Sequence, residues 1–197
     1  MKTLHRTTFF GWSVFDESRN LDFNGVLWTG TPGNVAIDPL PLTPHDEAHL
    51  RALGGARTVI VTNSDHVRAA RRFAELTGAR VFGPRGERDS FPIPCDDWLG
   101  DGDEPAPGAR IFEMEGSKTP GELAVVLGGD TLVTGDLIRA HQGGRLNLLP
   151  DAKLVDRARA VASVRRLASL GIGAVLVGDG WPVFRDGKKA LEELFAV

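Results

Sequence analysis

The sequence predicts a layered α/β fold, and three observations lead to this prediction. The first forty residues are rich in aromatic and β-branched side chains separated by turn residues, as in an antiparallel sheet. The runs at 58–62 (TVIVT) and 174–177 (AVLV) are short and apolar, which is typical of strands buried on both faces. In the middle of the chain, strands alternate with helical segments, the pattern of layered α/β architecture.

The opening part of the chain predicts strands first and helices later. Thr43 is a candidate N-cap with Pro44 at the first helical position, and Gly54 ends that helix. The predicted helices are Thr43–Leu53 and a segment from Ser64 or Asp65 to Leu76. The predicted strands are Thr7–Phe15, Phe23–Thr29, Asn34–Ile37, Thr58–Thr62 and Arg80–Phe82.

The remainder of the chain begins with an irregular stretch rich in proline and acidic residues, 84–108, for which we predict a long loop with one short strand. The turn at 128–130 (GGD) predicts a hairpin between two of the later strands. The predicted strands are Ala109–Glu113, Leu123–Leu127, Thr131–Thr134 and Ala174–Val177. The predicted helices are Ala152–Leu170 and Asp186–Phe195.

Length and composition limit the class of protein. The 197 residues, 42% of them hydrophobic, suit one domain over 1–197. A net charge of −3 without long charge runs argues against nucleic acid or a membrane as partner. The single cysteine, Cys95, excludes an internal disulfide and a cysteine-based zinc site. Because 1–10 lacks the apolar region of a signal peptide, we expect a cytoplasmic protein; the oligomeric state is left open.

Acidic residues follow three of the apolar strands. One strand is followed by Asp65 and His66, another by Asp136 and a third by Asp179, while Glu122 begins a strand after a turn-rich segment. Taken singly, such residues are more typical of helix caps, turns or a packed histidine. Together they indicate a functional crevice, because loops at the carboxyl ends of strands converge in layered α/β sheets.

Four segments resemble motifs of the metallo-β-lactamase superfamily, in the same order and spacing. The segment 61–66 (VTNSDH) resembles His-x-His-x-Asp-His, of which the Asp-His end is kept. The segment 116–122 (GSKTPGE) resembles Gly-His-Thr-Pro-Gly-His, with Lys118 and Glu122 at the two histidine positions. The segments 134–136 (TGD) and 178–182 (GDGWP) resemble Thr-Gly-Asp and Gly-His-Gly-x-Pro. The resemblance implies an αββα sandwich of two mixed β-sheets with outer helices and a crevice at one edge.

The resemblance also implies two metal positions, of which the sequence keeps one. The first would be formed by Val61, Asn63, Glu122 and Asp136, but valine cannot ligate and an asparagine carbonyl is a weak ligand. We therefore expect Val61 to face apolar neighbours. The second position would be formed by Asp65, His66, Asp136 and Asp179, which we expect to converge within one coordination sphere. The predicted metal-binding residues are thus Asp65, His66, Asp136, Asp179 and Glu122.

The ligand types bear on which metal would bind. Three carboxylates and one imidazole favour one divalent ion such as manganese, iron or magnesium, and zinc also accepts these ligands. Lys118 is an internal competitor, because its ammonium group could pair with Glu122 and neutralise the first position. That pairing would make the whole constellation structural.

Two functions remain open. The first is a mononuclear metal-dependent hydrolase of a small ester, thioester, lactone or phosphoester, with Asp65 ligating the metal or orienting water and Lys118 stabilising developing negative charge. The alternative is a catalytically inactive domain that binds a ligand or partner without metal. An iron-dependent oxidoreductase would need a redox partner that the sequence does not show. In either of the first two cases the crevice would take a small molecule.

Three other residues are candidates of lower rank. Cys95 lies in a proline-rich loop beside acidic residues, which raise a thiol's pKa and make it a poor nucleophile. Arg139 and His141 closely follow Asp136 and could line the crevice. Their position in a loop favours solvated side chains.

Overall fold

The N-terminal half of the protein contributes the strands of a seven-stranded sheet. The computed structural model describes residues 1–30 and 32–195. The strands lie side by side in chain order, antiparallel from β1 to β4 and parallel from β4 to β7. They are β1 (Lys2–Thr3), β2 (Phe9–Asp16), β3 (Leu21–Trp28), β4 (Val35–Ile37), β5 (Thr58–Ile60), β6 (Arg80–Pro84) and β7 (Asp97–Leu99).

A second mixed sheet of four strands comes from the C-terminal half. Its strands are β8 (Ala109–Glu113), β9 (Leu123–Leu127), β10 (Thr131–Thr134) and β13 (Ala174–Val177). The order is β13-β10-β9-β8, with the pair β10 and β13 parallel and the others antiparallel. A separate antiparallel hairpin consists of β11 (Ile138–Gln142) and β12 (Arg145–Leu148). The GGD turn joins β9 and β10 as predicted.

The helices cover the outer faces of the two large sheets. They are α1 (Pro44–Ala52), α2 (Ala70–Thr77), α3 (Arg157–Ala168) and α4 (Gly187–Glu193). Leu50 of α1 and Phe73 of α2 pack with residues of the first sheet, whereas Val164 of α3 and Leu191 of α4 pack with the second. Within the residues described, none of these helices has the length and apolarity that crossing a membrane requires. The predicted αββα sandwich is confirmed.

The central strands bury both of their faces, which explains their continuous apolar sequences. On β5, Ile60 points into the core between the sheets and Val59 into the layer beneath α1 and α2. On β13, Leu176 enters the core between the sheets, while Val175 and Val177 face α3 and α4. Val61 continues the outer alternation of β5 and packs among apolar neighbours, as expected.

Two predicted helices begin later than the sequence indicated. The segment 64–66 is a single 3-10 turn, and α2 starts at Ala70 because Arg68 adopts a left-handed φ of 43° that no α-helix contains. The segment from 152 begins with a 3-10 turn, and α3 starts at Arg157 after the Asp156 N-cap. Asp156 accepts a hydrogen bond from the Arg159 N–H, which defines the start of the helix.

Two further elements were assigned differently or missed. The stretch 84–108 contains β7, as expected, and also a 3-10 helix over Arg85–Ser90. The hairpin of β11 and β12 had no prediction. Its signal is an alternation of apolar and polar residues around the Gly143-Gly144 turn.

The loop 116–122 is anchored to the start of α3. The Gly116 carbonyl accepts hydrogen bonds from the N–H groups of Val155 and Asp156, at 3.1 and 3.2 Å. Gly116 has a φ of 79°, and a Cβ there would overlap the Asp156 carbonyl and lie 2.6 Å from the Ala160 nitrogen. Only glycine fits this close approach, which sets the path of the loop towards the crevice.

We expect Gly116→Ala to destabilise the fold more than Gly144→Ala. Gly144 has a φ of 77° but no atom within 4 Å of the added Cβ, so its cost is about 1 kcal/mol of backbone strain. At Gly116 the steric overlap adds about 1–3 kcal/mol. Urea unfolding of both variants measures the difference, and equal losses would contradict the close packing of the loop on α3.

Candidate functional site

A histidine and two aspartates converge at the carboxyl ends of the strands. The His66 Nε2 lies 3.7 Å from Asp136 Oδ2 and 3.8 Å from Asp179 Oδ1. All three side chains are buried, and their ligand atoms lie within 4.8 Å of one another, so they form a group that could hold a metal ion. They line the inner part of a polar cavity of about 340 Å³. The predicted convergence therefore holds for three residues.

Asp65, the fourth expected member, does not join this group. Its side chain is 59% exposed and Oδ2 lies 2.6 Å from the ammonium nitrogen of Lys118. The 3-10 turn at 64–66 directs Asp65 outwards and His66 inwards. Asp65 therefore lies at the mouth of the cavity.

Lys118 bridges two aspartates and does not make the predicted pair with Glu122. Its Nζ contacts Asp136 Oδ2 at 2.8 Å in addition to Asp65, and the side chain is 27% exposed. Burial disfavours the charged ammonium, but hydrogen bonds with Asp136 and Asp65 outweigh it and raise the pKa of Lys118. Lys118 is therefore a permanent cation of the crevice.

Glu122 is a buried structural link. Its Oε2 accepts a hydrogen bond from the Ser117 hydroxyl at 2.5 Å, and its Oε1 accepts one from the Leu137 N–H at 2.7 Å. Burial, together with the negative charge of Asp136, raises the pKa of Glu122 to about 7. Oε2 thus closes the loop 116–122 on itself, and Oε1 holds the loop against the segment after β10.

Both the oxygen and the nitrogen of the Asn63 side-chain amide form hydrogen bonds within the fold. Its Oδ1 accepts hydrogen bonds from the N–H groups of Asp65 and His66, and so caps the 3-10 turn. Its Nδ2 donates to Asp136 Oδ2 at 3.2 Å. Since the carbonyl is engaged and Val61 is apolar, the first metal position has lost both ligands of the segment 61–63.

Asp38 orients the histidine and was missed in the sequence. Its Oδ2 lies 2.7 Å from His66 Nδ1, and its two oxygens accept hydrogen bonds from the N–H and hydroxyl of Thr62. Burial lowers the pKa of His66, but Asp38 and then Asp136 outweigh burial and the repulsion of Arg68, so the pKa is raised. Asp38 directly follows the buried strand β4, the same signal that identified the other acids.

Two arginines complete the crevice, and the expected solvation of one of them is wrong. Arg139 is 9% exposed, with Nη2 at 3.0 Å from Asp136 Oδ1 and 3.5 Å from Asp179 Oδ2. Arg139 lies in the strand β11 and not in a loop, and the next residue, Ala140, bridges to Gly180 beside the site. The expectation for His141 was correct, since its side chain is exposed.

Arg68 was also missed, although it lies two residues after His66. Its Nη2 lies 3.2 Å from His66 Nε2 and 3.2 Å from Asp179 Oδ1. Its left-handed backbone lets the chain turn so that the guanidinium reaches back over the histidine. In the sequence its only signal is its position close after His66, in the run 65–68 (DHVR).

The crevice does not fit a pair of metal ions. The first position lacks ligands from Val61 and Asn63. In the second, every oxygen of Asp136 and Asp179 contacts a cationic side chain of the protein, and His66 Nε2 faces Arg68. The group that could hold one ion is therefore already neutralised by charges of the chain.

The surroundings of Cys95 agree with the prediction that its thiol has a raised pKa and is a poor nucleophile. It is half-buried in the loop that leads to β7. Burial, assisted by the charge of Asp96, raises the pKa of its thiol to about 11. The thiol is therefore protonated at neutral pH and is a poor nucleophile.

We expect the free energy of unfolding of the Glu122→Gln variant to rise relative to that of the wild type as the pH increases. The Glu122 pKa is raised from 4.5 to about 7 in the fold. The stability that protonated Glu122 contributes is complete below pH 4.5 and is lost as the pH rises through about 7. The variant should therefore gain about 3 kcal/mol on the wild type between pH 4.5 and pH 8. Urea unfolding across this range measures the effect, and a difference independent of pH would contradict it.

Comparison with solved structures supports the same fold. The chain superposes on the metallo-beta-lactamase family protein TTHA1429 from Thermus thermophilus with a TM-score of 0.70 at 20% identity, covering 96% of this chain and 78% of that one. For a metallo-beta-lactamase from Pontibacter korlensis the TM-score is 0.72 at 15% identity, with 96% and 94% covered. For TTHA1623 in a di-iron-bound form the values are 0.68 and 21%, with 94% and 96% covered.

Of the sequence comparisons, the one with protein families agrees with the structural comparison. No curated protein matches the chain significantly. The family model of the metallo-beta-lactamase superfamily matches residues 1–197. With the αββα sandwich and the ordered motifs of the crevice, this match shows that the chain belongs to the metallo-β-lactamase superfamily.

Proposed function

We propose that this member of the superfamily binds a small ligand in its crevice without a metal ion and does not hydrolyse substrates by metal catalysis. The observation that carries the proposal is the pairing of the candidate metal ligands with internal cations. Asp136 contacts Lys118 and Arg139, and Asp179 contacts Arg68 and Arg139. A divalent ion would have to displace these groups or share the carboxylates with them, and its charge would add to theirs.

The cavity supports a small polar ligand. Its volume of about 340 Å³ lies within the range of small-molecule sites, and charged side chains dominate its lining. Phe23 supplies an aromatic surface at one side. Net charge and its distribution give no support for a nucleic acid.

An anionic group is the ligand chemistry that suits the mouth of the cavity. The Lys118–Asp65 pair is the partly exposed part of the network, and an exposed ion pair is cheap to break. A carboxylate or phosphate of a ligand could take the place of Asp65 beside Lys118. The inner pairs, which are nearly fully buried, would remain intact.

A mononuclear metal-dependent hydrolase is the second candidate. It is favoured by the closeness of three ligand atoms from His66, Asp136 and Asp179. Manganese, iron or zinc held there would lower the pKa of a bound water and polarise a scissile bond. This candidate requires Arg68 to leave its present partners and requires the ion to share Asp136 with Lys118 and Arg139.

The two candidates differ in the metal content of the wild-type protein. After expression with added manganese, iron and zinc, we expect elemental analysis to find well under one equivalent of each. Excess manganese or zinc should leave the melting temperature unchanged, because an ion stabilises only a fold that binds it. One tightly held equivalent together with a rise in melting temperature would favour the hydrolase.

Lys118 should stabilise the fold through its two aspartates. We expect Lys118→Met to lower the free energy of unfolding by about 1–3 kcal/mol, between the values for exposed and buried ion pairs. The control is Lys188→Met on α4, whose 3.8 Å contact with Glu192 is exposed and should matter little. Chemical unfolding compares the variants, and equal stabilities would show that Lys118 does not neutralise the crevice.

A further inference from the structure

Arg68 holds its guanidinium against two of the three candidate ligands. Its Nη2 is 3.2 Å from His66 Nε2, 3.2 Å from Asp179 Oδ1 and 3.3 Å from the Gly178 carbonyl oxygen. The two ligand atoms are themselves 3.8 Å apart. The guanidinium nitrogen thus lies equally far from both.

This position conflicts with a metal ion. An ion bonded to both atoms at about 2.2 Å would lie within roughly 4 Å of Nη2, on whichever side of the pair it sat. Two like charges at that distance repel strongly in a buried site. Binding of an ion therefore requires removal of Arg68.

Arg68 is anchored on the side away from the ligands. Its Nη1 donates to the Asn24 carbonyl at 2.7 Å, and the guanidinium carbon lies 5.2 Å from the centre of the Phe23 ring. The side chain is 10% exposed, and its backbone has a φ of 43°. These contacts come from β3 and fix the guanidinium independently of the acids.

We propose that Arg68 is a built-in substitute for the metal ion, and that its removal converts the group of His66, Asp136 and Asp179 into a site for one divalent cation. The inference rests on the proposed metal-free crevice and identifies the residue that excludes the ion. Arg68 supplies one positive charge in the fold without any dependence on metal supply. Of the three cationic side chains that contact the two aspartates, Arg68 alone also contacts His66 in the described residues. An ion held by His66 and Asp179 would share the carboxylates with Lys118 and Arg139.

The test compares metal binding in wild type and Arg68→Met. Methionine keeps an unbranched apolar stem like that of arginine and removes the guanidinium charge. Titration calorimetry with manganese chloride and with zinc chloride should show one equivalent bound to Arg68→Met. The Kd should be at least about 100-fold lower than that of the wild type. The matched control is Arg72→Met on α2, an exposed arginine that should leave metal binding unchanged.

Two further variants test whether loss of the Arg68 charge causes the gain in metal binding. Adding Asp179→Asn to Arg68→Met should abolish most of the gain, because it removes a charged ligand. Arg68→Lys keeps a positive charge and should bind no more metal than the wild type. Circular dichroism checks each fold, and Arg68→Gln replaces Arg68→Met if the latter is unfolded.

The outcomes separate this inference from the proposed function. No gain of binding in folded, uncharged Arg68 variants, or an equal gain in Arg68→Lys, would overturn the role of Arg68 and leave the metal-free wild type standing. A gain that survives Asp179→Asn would place the ion elsewhere and also overturn the inference. Tight binding of one equivalent by the wild type would overturn both proposals.

Discussion

Neutralisation of buried carboxylates is the constraint on which the crevice depends. Burying an unpaired carboxylate costs several kcal/mol, so aspartates can be concentrated here only with compensating charge. Each aspartate contacts a basic side chain of the same protein, and Glu122 avoids the cost through a pKa of about 7. The aspartates are Asp38, Asp65, Asp136 and Asp179, and the basic side chains are His66, Arg68, Lys118 and Arg139.

The sandwich brings these charges together through its doubly buried strands. Because the central residues of β5, β10 and β13 pack in apolar layers, charged residues appear only beyond the ends of these strands. The ends of β10 and β13 are fixed side by side by their parallel register, which pairs Thr134 with Val177. The glycine at 178 brings the chain close to His66, since a Cβ there would lie 2.6 Å from its Cε1. Core packing thus determines the separation of the site residues.

The sequence predicted the layers well and the charge network poorly. Apolar periodicity is a local property, so the strands from β2 to β10 and β13 could be read from the chain, with β7 only as an unplaced strand in a loop. The start of α2 was misjudged because the left-handed backbone angle of Arg68 interrupts the helical pattern, and the start of α3 because a 3-10 turn precedes its N-cap. Partners of charged groups depend on tertiary distance. Lys118 was therefore assigned to Glu122, its neighbour in sequence, although its ammonium reaches Asp65 and Asp136.

The missing ligands of the first metal position and the side chains that neutralise Asp136 are physically linked. In a chain whose first metal position has no ligand from Val61 or Asn63, Asp136 would keep uncompensated charge towards that side. The Asn63 amide and the Lys118 ammonium both donate to Asp136 Oδ2, at 3.2 and 2.8 Å, and so supply what an ion would otherwise supply. On the opposite side of Asp136, Oδ1 is bound by Arg139. The replacement of metal ligands by hydrogen-bond donors is therefore cooperative. Once side chains of the protein fill the first metal position, an ion at the second position has to share Asp136 with Lys118 and Arg139. This sharing weakens the binding of the ion.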